Sequence, residues 1–344
     1  MKNEIAFLAV GQAGGNVGKL FEAEHYKVMY INTSLEDLKT IPEPKYYHHI
    51  ANGEGAAKNR DWAQKLLAPD FENIKAEIAK TITEDYVFVT FSAGGGTGSG
   101  CAPYLLAGLS AVLPKRKIGA ITILPSEEET LQAQINAYEC FSDLALVDGL
   151  GAMFVIDNNA RDDKLAINQK FVDLFNKILR IPDNVNERGN IDLKEMKEVL
   201  SSSGCIFVTS LPGVQSSTPK LLESFKDSIF AQPEQDEIIK YMALSMASEI
   251  DTAALCKATG KPLDIFRGYN DEATICILSG LSFPYSRLSR IKAKILQEQE
   301  AMKKLWIVKK QALSFGEVNI SFMDNSIPET PKGTDEIIAM FKRK

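Results

Sequence analysis

The chain has 344 residues, 45% of them hydrophobic, and a formal net charge of −6. That length suits about two domains of roughly 150 residues with a sizeable core, and the acidic balance excludes nucleic-acid binding through overall charge. Five scattered cysteines (Cys101, Cys140, Cys205, Cys256, Cys276) show no CxxC spacing, which excludes a disulfide framework and suits a reducing cytosol; no stretch approaches the ~20 apolar residues of a membrane span.

In chain order, IAFLAV (5–10) reads as a buried strand; it is short and ends in glycines, unlike a secretory leader. GQAGGN and a helical NVGKLFEAEH follow. KVMYIN (27–32) is a second strand and 61–82 a helix. Next come the strand YVFVTF (86–91), the glycine run AGGGTGSG (93–100) and a helix from about Pro103. IGAITILP (118–125) and AMFVID (152–157) are further strands, separated by a helix around 128–146. Continuous apolar runs alternating with amphipathic helices predict an α/β fold, a doubly wound parallel sheet covered on both faces. Ligands of such sheets collect at the carboxyl ends of the strands.

A long helix over 162–181 leads to the turn-rich PDNVNERGN. In the second half CIFVTSLPG, KYMALSMA and TICILSGLSF read as strands of a smaller α/β unit, before one long helix over 286–313. The expected division is an N-terminal nucleotide domain over 1–161, a core helix and its connection over 162–190, and a C-terminal domain over 191–284. A long helix over 285–313 and a flexible tail over 314–344 complete it.

Two junctions place glycine-rich turns between a strand and a helix, GQAGGN and AGGGTGSG. Amides of such a turn and of the first helical turn point into one concavity suited to phosphate. Gly94, Gly95, Gly96 and Gly98 supply close approach, and Thr97 and Ser99 offer hydroxyl donors. Walker A spacing fails, with Ala13 at its first glycine and Leu20 at its Ser/Thr position. The dinucleotide G-x-G-x-x-G also fails, with Cys101 or Ser99 in the last place, which disfavours an NAD-dependent oxidoreductase.

GGGTGSG resembles the signature of the tubulin/FtsZ family, and the resemblance covers the chain to about residue 310. GQAGGN resembles the first nucleotide loop (Gly11, Gln12, Ala13, Gly14, Gly15, Asn16), and INTSLEDL, with Asn32, the second. ANGEGAAKNR resembles the third loop, which faces the γ-phosphate, through Gly53, Gly55 and Ala56. IDNNA resembles the sixth, and GNIDLKE the seventh, with its N-x-D-x-x-[DE] pattern as Asn190, Asp192 and Glu195. The resemblance implies a tubulin-like fold, GTP and GDP as ligands, and Mg²⁺ held through the phosphates rather than by direct protein ligands. Gln12, after the first strand, suits phosphate oxygens or a metal-bound water. Asn158 and Asn176 carry amides whose donor and acceptor faces suit guanine, and by resemblance they are the base readers. Thr130 and Asn136 are candidates for ribose contacts, although LPSEEETLQAQIN departs from the FtsZ version of that loop.

For hydrolysis, His25, His48 and His49 read as satisfied or solvated and away from the loops, Glu127–Glu129 as a solvated acidic loop, and Cys101 as packing. Read alone, Asp192 and Glu195 are a helix cap and its capping-box partner. The resemblance implies that they enter the next subunit's nucleotide site, so that head-to-tail homopolymerisation completes a GTPase. INTSLEDL, DLFNKILR, SIFA (228–231), FRGYN (266–270) and the long final helix resemble the plasmid- and phage-borne DNA-segregation branch of the family. That branch implies a DNA-bound adaptor of the TubR kind, contacted by a basic tail such as FKRK. DEIIAMFKRK also resembles the terminal peptide of FtsZ. A cell-division filament and a non-catalytic filament adaptor are the alternatives.

Overall fold

A computed structural model describes residues 1–160 and 163–313, the last seven of these as backbone alone. The expected tail over 314–344, FKRK included, lies outside the described residues.

Strands β1 (Ile5–Val10), β2 (Lys27–Asn32), β3 (Tyr47–His49), β4 (Tyr86–Ser92), β5 (Lys117–Leu124) and β6 (Ala152–Asp157) form the first half. They alternate with α1 (Gly11–Ala23), α2 (Leu35–Lys39), α3 (Arg60–Thr81), α4 (Thr97–Val112) and α5 (Leu131–Leu144). Helices α6 (Lys164–Arg180) and α7 (Leu193–Ser201) lead to β7 (Gly204–Pro212). The second half continues with α8 (Thr218–Ser224), β8 (Ile238–Met246), α9 (Thr252–Thr259), β9 (Lys261–Tyr269), β10 (Ala273–Leu281) and α10 (Tyr285–Leu313).

All ten strands share one sheet in the order β3-β2-β1-β4-β5-β6-β7-β10-β8-β9. The run from β3 to β7 is parallel, β10 is antiparallel to β7 and β8, and β8 pairs parallel with β9. Besides α6, the halves are joined by β6–β7 pairing along three residues, Ala152 to Phe154. Every residue of β1 and β6 is buried, as the unbroken apolar runs require of strands covered on both faces.

One aromatic cluster fixes the helices of that face. Phe7 stacks on Phe21 of α1 at 3.7 Å, and Phe175 of α6 meets the edges of Phe7, Phe88 and Phe154 at 5.7 to 5.8 Å. Each buried ring contributes about 2–3 kcal/mol by area, so α6 is held rigidly along the sheet. The chain turns both ways from β1, to β2 on one side and β4 on the other. The crevice at the carboxyl ends of β1 and β4 is therefore the switch point where such sheets bind ligands.

Candidate nucleotide site

Helix starts meet at that crevice. The sequence reading treats both glycine runs as loops, but α1 begins at Gly11 itself and α4 at Thr97, six residues before Pro103. Gly11 takes φ +71°, and a Cβ on it would lie 3.0 Å from the Gly98 amide. The first turns of two helices, 13 and 16 residues long, therefore touch, each with amides that have no carbonyl one turn back. Their dipoles add favourable potential for an anion at one point. Gln12 is exposed there, with Ala13 and Asn16 half-buried beside it, while Gly14 lets α1 press on the Thr90 carbonyl and Gly15 is buried.

The other loops close on these starts. Thr97 and Thr33 hydroxyls bond at 2.6 Å. Asn32, 4% exposed, donates to Asp37 and accepts from the Ser34 amide, shaping the turn after β2. His49 Nε2 reaches the Gly53 carbonyl at 2.8 Å and that of Thr33 at 3.2 Å. His49 thus lies against two of the loops, contrary to the expectation that no histidine does; the short β3 delivers it there. Gly55 takes φ +99° and Ala56 is buried. His48 contacts Asp70 at 2.8 Å and Glu77 at 2.5 Å, and Asp70 also accepts the Ala51 amide. Burial opposes charge on His48, but its bonds to the two carboxylates outweigh it and hold its pKa above the ordinary value. Burial likewise opposes charge on Asp70, and the bonds from His48, Asn73 and Ala51 outweigh it, lowering its pKa.

Two assignments change. Asn136 is 1% exposed: it donates to the carbonyls of Lys58 (2.9 Å), Gly95 (2.8 Å) and Gly94, and accepts from Gln132. Both ends of its amide are occupied, so it clamps two loops together and is not offered to a ribose. Thr130 stays exposed at the rim, capping α5. Ser99 is fully buried and its hydroxyl donates to the Gly95 carbonyl, so it offers no hydroxyl to an anion.

Asn176 is at the wrong end. Tyr26 donates to it at 2.6 Å, and Tyr26 precedes β2, a strand's length or roughly 20 Å from the crevice. Periodicity puts Asn176 on α6 without saying how far along. Asn168, eight residues nearer the crevice and 6% exposed, is the asparagine that α6 presents near its start. Asn158 stands at the end of β6, where its Nδ2 approaches Glu129 at 3.4 Å and its buried Oδ1 has no hydrogen-bond partner among the described residues. Glu129 is no solvated side chain: it pairs with Lys164 at 2.7 Å and accepts the Ser126 amide. Those bonds outweigh the effect of burial and lower its pKa. Burial pushes the Cys101 thiol up to about 12, as suits a packing residue.

Two arginines escape sequence reasoning. Pro103, inside α4, has no N–H for the Ser99 carbonyl four residues back. Arg60, 6% exposed, takes that carbonyl at 3.1 Å and pairs with Glu139 (3.0 Å) and Asp143 (2.5 Å) of α5. Arg287 of α10, 2% exposed, grips Asp157 at 2.7 Å and the Pro125 carbonyl at 2.7 Å. Asp157 in turn accepts the Asn159 amide and so sets the turn bearing Asn158.

Asn190, Asp192 and Glu195 lie elsewhere. Asp192 accepts the Glu195 amide at 2.8 Å and Glu195 accepts the Asp192 amide at 2.9 Å, a complete capping box at the start of α7. Asn190 is exposed and accepts the Asn186 amide. One turn on, Lys197 pairs with Glu4, which precedes β1. The six residues of β1 therefore separate this box from the helix starts by roughly 20 Å. Among the described residues no group of three or more His, Cys, Asp or Glu is placed to hold a metal ion, and no helix is long and apolar enough to cross a membrane.

Residues 4–164 match the model of the Tubulin/FtsZ family, GTPase domain. The chain is 29% identical over 287 residues to the tubulin-like protein TubZ of Clostridium botulinum C phage, covering 82% of this chain and 80% of that one. The crystal structure of Clostridium botulinum phage c-st TubZ superposes with a TM-score of 0.80 at 27% identity, over 88% of this chain and 100% of that one. A helical model of the two-stranded TubZ-Bt filament gives a TM-score of 0.74 at 17% identity, over 93% and 94%. The fold is tubulin-like.

Proposed function

We propose that the chain, whose residues 4–164 match the model of the Tubulin/FtsZ family, GTPase domain, binds GTP at the crevice, assembles head to tail and hydrolyses the nucleotide at the subunit boundary. The reading rests above all on a separation. The capping-box carboxylates and the helix starts occupy opposite ends of β1, roughly 20 Å apart, which no side chain spans. Head-to-tail stacking is the arrangement that brings one molecule's far end onto the next molecule's crevice, and such a heterologous contact propagates into a filament. The two-stranded filament described for TubZ-Bt supports assembly into a filament.

Each group then has a task. First-turn amides of α1 and α4 hold the phosphates. The unpartnered Oδ1 of Asn158 accepts from guanine's amino edge, and Asn168 is placed to assist from α6. Asp192 and Glu195 orient and deprotonate the attacking water, help typically worth about 10²–10⁴-fold. A magnesium ion accompanying the nucleotide would neutralise phosphate charge, bound through phosphate oxygens and water within reach of Gln12. DNA segregation, through an adaptor bound to DNA, is proposed as the cellular task on the resemblance of SIFA (228–231) and FRGYN (266–270) to the DNA-segregation branch of the family. GTP turnover measured across a dilution series tests the scheme. Specific activity should climb from near zero above a threshold protein concentration; a flat profile would refute completion by a neighbour.

A further inference from the structure

Helix α10 lies outside the stretch that matches the family model, yet one of its side chains reaches the end of β6. Arg287 is 2% exposed, and Asp157, the last residue of β6, 8%. The guanidinium donates from Nε to one carboxylate oxygen of Asp157 at 2.7 Å and from Nη2 to the other at 3.3 Å. The same Nη2 donates to the Pro125 carbonyl at 2.7 Å, while Nη1 has only Glu127, 3.7 Å away. A planar fork of fixed donors thus ties together the turn after β6 and the loop after β5.

These two loops carry the groups that bound the candidate base site. Asp157 Oδ1 also accepts the Asn159 amide at 3.0 Å, so the carboxylate that Arg287 grips fixes the turn on which Asn158 stands. Glu129 of the other loop lies 3.4 Å from Asn158 Nδ2, and the buried Asn158 Oδ1 has no partner among the described residues. Glu127 and Asn159 also join the loops, and Arg290 and Lys294 also touch Glu127, but all of these links are exposed to water. Water competes for exposed bonds, so the buried guanidinium sets the spacing. The helix starts proposed to hold phosphates follow β1 and β4. Strand β6 lies two strands beyond β4, roughly 10 Å away, so Arg287 acts on the base end alone.

We infer that Arg287 is a positioning residue for base selectivity: by holding Asp157 and the Pro125 carbonyl on one guanidinium, it keeps Asn158 Oδ1 aimed at the 2-amino group that guanine has and hypoxanthine lacks. The inference rests on the nucleotide reading above and extends that site to a helix outside the matched domain. Without the arginine, the Asp157 carboxylate is left uncompensated and turns toward water. The turn then loosens, and Asn158 no longer tells the two bases apart.

Calorimetric titration of GDP and of IDP, the hypoxanthine nucleotide, below the assembly threshold provides the test. The proteins are wild type, Arg287→Lys, the double variant Arg287→Met with Asp157→Asn, and Asn158→Ala. The ratio of the two affinities within one variant does not depend on how much of the chain is folded. Wild type should prefer GDP by about tenfold, the cost of leaving one buried acceptor unpaired. Arg287→Lys keeps the charge but lacks the fork that serves both loops, and should lower the ratio below about threefold. The double variant removes both charges, a change that buried ion pairs tolerate, and should lower the ratio likewise should the lysine variant fail to fold. IDP affinity should move by less than about twofold, since its base makes no bond to Asn158 Oδ1. Equal weakening of GDP and IDP, with the ratio unchanged, makes Arg287 a structural pair only and overturns the inference while the nucleotide reading stands. A wild type without preference, or an Asn158→Ala variant that keeps it, removes the base-reading role of Asn158 and the inference with it. A wild type that binds neither nucleotide overturns the nucleotide reading as well.

Discussion

The crevice and the 184–195 segment are built in opposite ways. Crevice contacts span the chain: Arg60 to Asp143, Asn136 to Lys58, Arg287 to Asp157, each pair 78 or more positions apart. They are buried or partly buried, and they exist only once the sheet has folded. In the segment every described side-chain hydrogen bond except that of Arg188 to Glu249 spans four residues or fewer: Asn186 to Asn190, Arg188 to Asn186, and the reciprocal pair Asp192 and Glu195. Most of it is also exposed or half-buried, with Val185 at 87%, and Ile191 is its one buried residue. The difference teaches how the two halves of the proposed shared site are built. A binding surface needs a fold to position it, whereas the exposed carboxylates are shaped by local hydrogen bonds, with buried Ile191 and the Tyr269 amide on the Gly189 carbonyl tying their segment to the fold.

The largest expected effect attacks the projecting half. Glu195→Gln keeps the capping-box hydrogen bond, since glutamine serves at that position, but removes the proposed base. Turnover should fall by about 10²–10⁴-fold while sedimentation still shows assembled polymer. Near-normal turnover would mean that the two regions are chemically unrelated. An intermediate effect belongs to the crevice: Arg60→Ala leaves the Ser99 carbonyl and two acidic side chains without their shared cation. Thermal or denaturant unfolding should show a loss of about 3–5 kcal/mol, with nucleotide affinity falling alongside. An unchanged unfolding midpoint would show that α3, α4 and α5 hold together without the clamp.

The smallest effect concerns pH at the crevice's edge. His48 has a raised pKa, so its contribution is complete below the ordinary histidine value and is lost as pH rises through the folded value. Asp70 has a lowered pKa, so its contribution is complete above the ordinary aspartate value and is lost as pH falls through the folded one. Melting temperature should therefore peak between these limits. His48→Gln should flatten the alkaline arm, and an unaltered arm would dissociate the histidine from the anchoring of loop 51–59.

Much of the fold is legible in the chain because parallel strands buried on both faces must be uninterrupted apolar runs. The exceptions have physical reasons. Strand β9 escapes sequence reading because it lies at the sheet edge with Leu263 exposed at 73% and Pro262 and Asp264 within it, so no alternation survives. The start of α4 is obscured because a proline normally marks a first turn, and here Arg60 satisfies the carbonyl that Pro103 abandons. Within the site, glycine-rich turns announce themselves because backbone approach demands glycine. Asn136 and Asn176 mislead because an amide has the same chemistry whether it faces a ligand or braces a loop, and only the three-dimensional partner tells the two apart.

Arg287 sets a limit on modularity. The stretch that matches a GTPase domain ends at residue 164, yet the counter-charge to its buried Asp157 comes from a helix 130 positions downstream. Excised at that boundary, the segment would leave an uncompensated carboxylate beneath the turn that presents Asn158. The unit that can be recognised by kinship is thus shorter than the unit that can stand alone.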